Sequence, residues 1–70
     1  MEYTEGELLE ARRQIESTLH KLRETVKTFE AKENRERYRS QITLARRRIK
    51  AFELANDLIA NALENKADIE

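Results

Sequence analysis

The sequence contains no cysteine, no proline and no tryptophan, and glycine occurs once among its 70 residues. Without cysteine, neither a disulfide nor a cysteine-ligated zinc ion can stabilise the fold. A single glycine also excludes a glycine-rich phosphate-binding loop. A chain of this length rarely buries a sufficient hydrophobic core alone, so self-association is the expected source of stability.

Long apolar runs are absent as well. No segment approaches the roughly 18 apolar residues that a transmembrane helix requires, and the first ten residues, MEYTEGELLE, are acidic, unlike a secretory signal. We therefore expect a cytoplasmic protein that has no membrane partner. Lysine and arginine together number 14, as do aspartate and glutamate. The resulting formal net charge of zero argues against wholesale binding to nucleic acid.

Two series of apolar residues repeat at alternating intervals of three and four, which places their side chains along one face of an α-helix. The first series is Leu8, Ile15, Leu19, Leu22, Val26 and Phe29. The second series is Tyr38, Ile42, Ala45, Ile49, Phe52, Ile59 and Leu63. The pattern predicts helices over residues 5–32 and 36–65, joined by a turn near 33–35. Residues 66–70 are expected to fray, and residues 1–70 form a single helical-hairpin domain.

A local signal marks the start of the first helix. Thr4 is followed three residues later by Glu7, which is the pattern of a capping box. In this motif each side chain accepts a hydrogen bond from the backbone of the other residue. The sequence therefore predicts that the first helix begins directly after Thr4.

The phase of the two series decides how the helices are arranged, because no proline or glycine marks the join. Phe29 and Tyr38 are nine residues apart, which places them on opposite faces of a continuous helix. An antiparallel hairpin turned at Asn34, a good helix N-cap, brings them together instead. In this register Arg12 and Asn56, the polar interruptions of the two series, lie opposite each other. We expect them to form a buried polar layer that fixes the alignment.

The second predicted helix carries a further apolar face that one partner helix leaves uncovered. This face consists of Leu44, Ala51, Ala55, Leu58 and Ala62. Arg48 lies on the same flank, and we expect it to be an interface residue that pairs with a carboxylate. Leu44 and Leu58 lie at equal distances from Ala51, so two antiparallel copies of the face are complementary to each other. We therefore expect an antiparallel homodimer, an all-α four-helix bundle made of two hairpins. A trimer or a tetramer is left open.

Charge is segregated along the predicted hairpin and favours the same orientation. Residues 21–50, at the turn end, carry 11 basic and 4 acidic side chains, a net charge of +7. Residues 1–20 and 51–70, at the open end, carry 3 basic and 10 acidic side chains, a net charge of −7. An antiparallel dimer sets each basic end beside the acidic end of the partner, whereas a parallel dimer stacks like charges.

An arginine-rich segment at the turn end is the main candidate for contact with an anion. It contains Arg35, Arg37, Arg39, Arg46 and Arg47. Guanidinium groups bind phosphate bidentately, and a row of them releases counterions from a nucleic acid. These positions spiral around the helix, however, and no recognisable nucleic-acid motif accompanies them. Solvated or salt-bridged side chains are therefore the favoured interpretation.

Catalytic and metal-binding chemistry is weakly represented. His20, the single histidine, has Glu16 and Glu24 at four-residue spacing, which is a small ligand set for a metal ion. The serines and threonines have no nearby base arranged to activate them as nucleophiles. We therefore expect no enzymatic activity, no cofactor, no bound metal and no small-molecule substrate.

These observations predict a class of function without naming a partner. The expected function is that of a homodimeric protein-interaction or scaffolding module. Its partner is a second copy of the chain, with another helical protein as a further candidate. The alternative is a nucleic-acid-associated regulator that uses the arginine-rich turn end.

Overall fold

The computed structural model describes residues 2–69, with side chains described as far as Asn65. Helix α1 spans Glu5–Glu30 and helix α2 spans Arg39–Ile69, with a short 3₁₀ turn at Arg35–Tyr38 between them. Residues 2–69 contain no strand, so the prediction of an all-α fold is confirmed.

The helix bounds differ from the predicted ones at the connection and at the carboxyl end. Helix α1 ends at Glu30, and α2 begins at Arg39, so the connection is longer than the predicted turn at 33–35. Helix α2 also continues to Ile69, past its predicted end at residue 65, because no proline or glycine follows to stop it. Glu70, the last residue of the predicted frayed tail, lies outside the described residues.

The capping box at the start of α1 is confirmed. The Thr4 backbone N–H donates to Oε1 of Glu7 at 2.9 Å, and the Glu7 N–H donates to Oγ1 of Thr4 at 3.1 Å. These bonds satisfy two of the backbone donors that a helix start leaves unpaired. Hydrogen bonding to the carboxylate favours its ionised form, so the Thr4 backbone N–H, followed by the Thr4 side chain, holds the pKa of Glu7 below its ordinary value of 4.5.

Backbone hydrogen bonds close the connection without any glycine. The N–H of Ala31 donates to the carbonyl of Lys27 at 3.1 Å, which ends α1 in an ordinary right-handed conformation. The N–H of Arg37 donates to the carbonyl of Asn34 at 2.9 Å. The prediction that the Asn34 side chain caps the second helix is wrong. Its side chain makes no capping bond, because φ −103° and ψ 48° differ from the extended geometry of a side-chain cap.

Aromatic side chains link the end of α1 to the start of α2. The rings of Phe29 and Tyr38 are stacked, with centroids 4.8 Å apart and an interplanar angle of 19°. The Nζ atom of Lys32 lies 5.3 Å from the centroid of the Tyr38 ring, within the range of a cation–π interaction. The predicted contact between Phe29 and Tyr38 is therefore confirmed.

The two helices lie side by side and contact each other along their length. The long dimension of the molecule is 54 Å, whereas a continuous helix of the same residues would measure about 97 Å at 1.5 Å per residue. The buried side chains of α1 are Leu8, Leu19 and Val26, and Ala45 is their buried counterpart on α2. These positions belong to the two apolar series, so the sequence pattern identifies the inner face of each helix.

Two ion pairs cross from α1 to α2 on one flank of the molecule. Arg23 donates to Oε2 of Glu53 at 2.9 Å, and Arg46 pairs with Glu30. The pairs are one heptad apart on each helix and have opposite polarity. Sliding α2 by one heptad would set Arg23 against Arg46 or Glu30 against Glu53, depending on the direction. The pairs therefore oppose a shift of register by like-charge repulsion.

Candidate functional site

The strongest candidate site is a largely apolar face of α2 that lies beside its contact with α1. We call it the dimer stripe, which consists of Leu44, Arg48, Ala51, Ala55, Leu58 and Ala62. Their spacing alternates between four and three residues, so they share one side of the helix. Leu44 is 47% exposed and Leu58 is 62% exposed, whereas Ala55 and Ala62 are half-buried. The single chain therefore leaves large apolar side chains of this face in water.

The neighbouring surface of α1 is made of small side chains. Ala11 and Thr18 are half-buried and Thr25 is exposed. At 100° per residue, these three positions lie on the side of α1 opposite to the flank that carries the Arg23–Glu53 ion pair. One flank of the molecule is therefore crossed by ion pairs, whereas the other combines small side chains with the exposed leucines.

The surface area of the chain is large for its mass. The chain exposes 5958 Å². A compact monomer of 8.3 kDa would expose about 4,600 Å², according to the power law that relates the accessible surface of folded monomers to their mass. The excess of about 1,400 Å² exceeds the roughly 800 Å² that each partner contributes to a standard interface. The elongated chain thus has enough accessible surface for a stable interface.

Of the two residues of the predicted polar layer, Asn56 is half-buried and Arg12 is exposed. Oδ1 of Asn56 is buried and has no hydrogen-bond partner among the described residues. The side chain of Arg12 is 47% exposed, and its Nε donates to Oε1 of Glu16 at 3.2 Å. The predicted bond from Arg12 to Asn56 is therefore not made in the single chain, because Glu16, one turn away on the same helix, holds the guanidinium.

Beside Asn56, an open groove of about 680 Å³ runs between the helices. Its lining is mixed in charge: Glu16, Leu19, Arg23, Lys50, Glu53, Leu54, Asn56 and Asp57. The carboxylates and cations in this lining balance to within one charge, so the groove has no strong preference for an ion of either sign.

The arginines of the turn end are exposed, and most of them share neighbouring depressions. Arg35, Arg39 and Arg46 line one of about 410 Å³, together with Glu30 and Glu36. Arg39 lies 3.9 Å from Glu36, and Arg46 pairs with Glu30.

A second depression, of about 330 Å³, is lined by Arg39 and Arg47 with Ser40, Thr43 and Leu44. Arg37 is exposed in the 3₁₀ turn and lines neither depression. Arg39 and Arg47 are eight residues apart, which places them about 80° apart around α2, and both line this depression.

Two exposed leucines were not assigned to any face from the sequence. Leu9 is 49% exposed on α1, and Leu54 is 59% exposed on α2. Leu9 directly follows the buried Leu8, and Leu54 lies one turn before Leu58. Each of these leucines is adjacent in sequence to a residue of an apolar series or face but does not share its helical spacing, and this pattern could have identified them as exposed.

The described residues offer little for catalysis or metal binding. Nowhere among the side chains of residues 2–65 do three or more histidines or carboxylates gather where they could hold a metal ion. His20 is exposed. The pKa of Glu10 is lowered, first by a hydrogen bond from Gln14, and Arg13 also pairs with this carboxylate. Within the described part of the chain, neither helix is long and apolar enough to cross a membrane.

Comparisons with protein-family models, with curated proteins and with solved structures find no match to this chain.

Proposed function

We propose that the chain is a non-enzymatic homodimeric module for protein interaction or scaffolding, assembled from two antiparallel helical hairpins. The observation that carries the proposal is the dimer stripe, in which Leu44 and Leu58 stay largely exposed in the single chain. Apolar patches of this kind on a small chain mark an interface. A second copy is the occupant that the geometry and the charges favour.

The geometry favours a second copy because the dimer stripe is symmetric about Ala51. Leu44 and Leu58 are each seven residues from Ala51. When two α2 helices cross antiparallel at Ala51, Leu44 of each copy lies opposite Leu58 of the other. This is the self-complementarity that a two-fold interface requires. The alanines of the stripe also allow the helices to approach to the short end of the usual 8–10 Å spacing.

The charges favour the antiparallel orientation. Residues 21–50 carry a net charge of +7, and the remaining residues carry −7. Each exposed ion pair contributes only about 0.2–1 kcal/mol. Because an antiparallel dimer brings many opposite charges together and a parallel dimer brings like charges together, the sum selects the orientation.

Disulfide cross-linking tests both the dimer and its axis, because the natural chain contains no cysteine. A residue on a two-fold axis faces its own copy, so Ala51→Cys should form a covalent dimer of about 17 kDa under mild oxidation. Leu44→Cys alone should remain uncross-linked, because its copy lies about 21 Å away along the helix. A mixture of Leu44→Cys and Leu58→Cys chains should cross-link to each other.

The outcomes separate the alternatives. Light scattering should give a mass near 17 kDa for the unmodified chain at both 50 and 500 mM salt. A mass near 8 kDa would refute the homodimer and would direct attention to a different helical partner. A dimeric mass with cross-linking of Leu44→Cys to itself would instead show a parallel arrangement.

A further inference from the structure

The open groove between the two helices lies on a different side of the molecule from the dimer stripe. At 100° per residue, the charged positions of α2 that line it, Lys50, Glu53 and Asp57, centre about 150° from the centre of the dimer stripe. Every residue of the lining belongs to one chain. The groove is therefore complete without a partner copy and remains accessible in the proposed dimer.

Ion pairs already occupy most of the charged side chains in this lining. Its two glutamates are bound to Arg12 and Arg23, at 3.2 and 2.9 Å. Lys50 and Asp57 form no ion pair with any other described residue. They are seven residues apart, beyond the spacing of three or four at which side chains of one helix pair with each other. The groove thus presents one cation and one carboxylate that the chain itself leaves unpaired.

Apolar side chains complete the lining. Leu19 is only 4% exposed, whereas Leu54, which lies between Lys50 and Asp57 along α2, is 59% exposed. The groove volume of about 680 Å³ lies within the roughly 300–1,000 Å³ range of small-ligand pockets. An exposed apolar side chain flanked by opposite charges suits a ligand that has an apolar middle and oppositely charged ends.

We propose that the groove binds a short peptide through its free termini, with the carboxylate at Lys50, the ammonium at Asp57 and an apolar side chain against Leu54. Lys50 and Asp57 are separated by about 10.5 Å along the helix axis. An extended tripeptide spans about 10–11 Å. A zwitterion satisfies both charges of the groove, whereas an anion or a cation of the same size is attracted by one and repelled by the other.

Titration of the isotope-labelled chain with alanyl-leucyl-alanine, followed by heteronuclear NMR, tests the proposal. The side-chain amide of Asn56, which lines the groove, gives its own signal. This signal and the backbone signals of Lys50 and Asp57 should shift and saturate at millimolar peptide. An absence of saturable shifts would overturn the inference. So would equally tight binding of the same peptide acetylated at its amino end and amidated at its carboxyl end.

Single substitutions identify which terminus binds at which residue. Lys50→Gln should weaken binding of the free peptide about 1.5- to 5-fold, the effect of an exposed ion pair, but should leave binding of the amidated peptide unchanged. Asp57→Asn should likewise weaken binding of the free peptide but not of the acetylated one. Both side chains are exposed, so neither substitution should affect the fold.

The matched control is Lys21→Gln, which removes the same charge at an exposed position on the side of α1 that faces away from the groove. It should bind the free peptide as tightly as the unmodified chain does. Equal weakening by Lys21→Gln and Lys50→Gln would show a general attraction and would overturn the site. Equal weakening of the free and the amidated peptide by Lys50→Gln would overturn its assignment to the carboxylate.

Light scattering on the same samples separates this inference from the proposed function. A dimeric chain that does not bind the peptide would overturn the peptide site and leave the dimer intact. A monomeric, helical chain that binds the peptide would refute the homodimer and support the peptide site, because the whole lining belongs to one chain.

Discussion

Replacing Leu58 by aspartate should dissociate the dimer. Full burial of a leucine side chain contributes about 1.5–3 kcal/mol, and Leu58 is 62% exposed in the single chain. Covering it in a dimer therefore contributes about 1–2 kcal/mol, and the two copies contribute about 2–4 kcal/mol together. Loss of this energy weakens the dimer by about 30-fold to 1,000-fold. The carboxylate adds to the effect, because it would be buried beside apolar Leu44 of the partner.

The dissociated chain should also lose most of its helicity. Among residues 2–65, the single chain buries only four apolar side chains, Leu8, Leu19, Val26 and Ala45. Light scattering over a range of protein concentration measures the mass, and far-ultraviolet circular dichroism on the same samples measures the helix content. Leu58→Asp should give a mass near 8 kDa together with a weak helical signal.

The matched control is Leu9→Asp, which makes the same chemical change at an exposed leucine of α1. Leu9 is 49% exposed and lies on the flank with the interhelical ion pairs, away from the dimer stripe. It should remain a helical dimer. A Leu58→Asp variant that stays dimeric would refute the interface. One that is monomeric yet stably helical would refute the argument that the hairpin needs its partner.

Two other substitutions test single polar groups. Asn56→Leu should raise the free energy of unfolding, measured in urea, by about 1–3 kcal/mol, because it removes a buried oxygen that lacks a partner. A decrease would indicate that this oxygen is bonded within the dimer, with Arg12 as the expected donor. Glu7→Gln should lower the thermal midpoint at pH 7, because the folded-state pKa of Glu7 is below 4.5 and the ionised form therefore stabilises the fold above that pH. The difference should disappear as the pH falls from 4.5 through the lowered pKa, and a difference independent of pH would contradict the role of the charge.

The helices and their inner faces could be predicted because local and periodic signals determine them. The capping box depends on two residues three positions apart, so Thr4 and Glu7 suffice to place the start of α1. The contact between Phe29 and Tyr38 followed from the phase of the two apolar series. In both cases the relevant interaction acts over a few residues or repeats with the helix period.

The conformation of the connection and the hydrogen-bond partners of the polar side chains could not be predicted, because several partners compete for the same group. Asn34 is a favourable N-cap residue in isolation, but its backbone angles of φ −103° and ψ 48° are unsuited to a side-chain capping bond. Arg12 was expected to bond to Asn56, but Glu16, one turn away on the same helix, holds it in the single chain. A sequence pattern states which groups are polar, but it does not rank the alternatives that a long flexible side chain can choose.

Apolar residues supply the attraction and charged residues set the alignment, both within the chain and in the proposed dimer. Inside the chain, apolar series bury the inner faces, and the Arg23–Glu53 and Glu30–Arg46 pairs disfavour a shift of one heptad. Between chains, the dimer stripe would supply the attraction, and the opposite charges of the two halves would disfavour the parallel orientation. Apolar contact has no direction of its own, so a helix of short repeats would slide or reverse without a charge pattern to oppose it. Charged residues at 40% of this sequence are therefore better explained as determinants of alignment than as a source of stability.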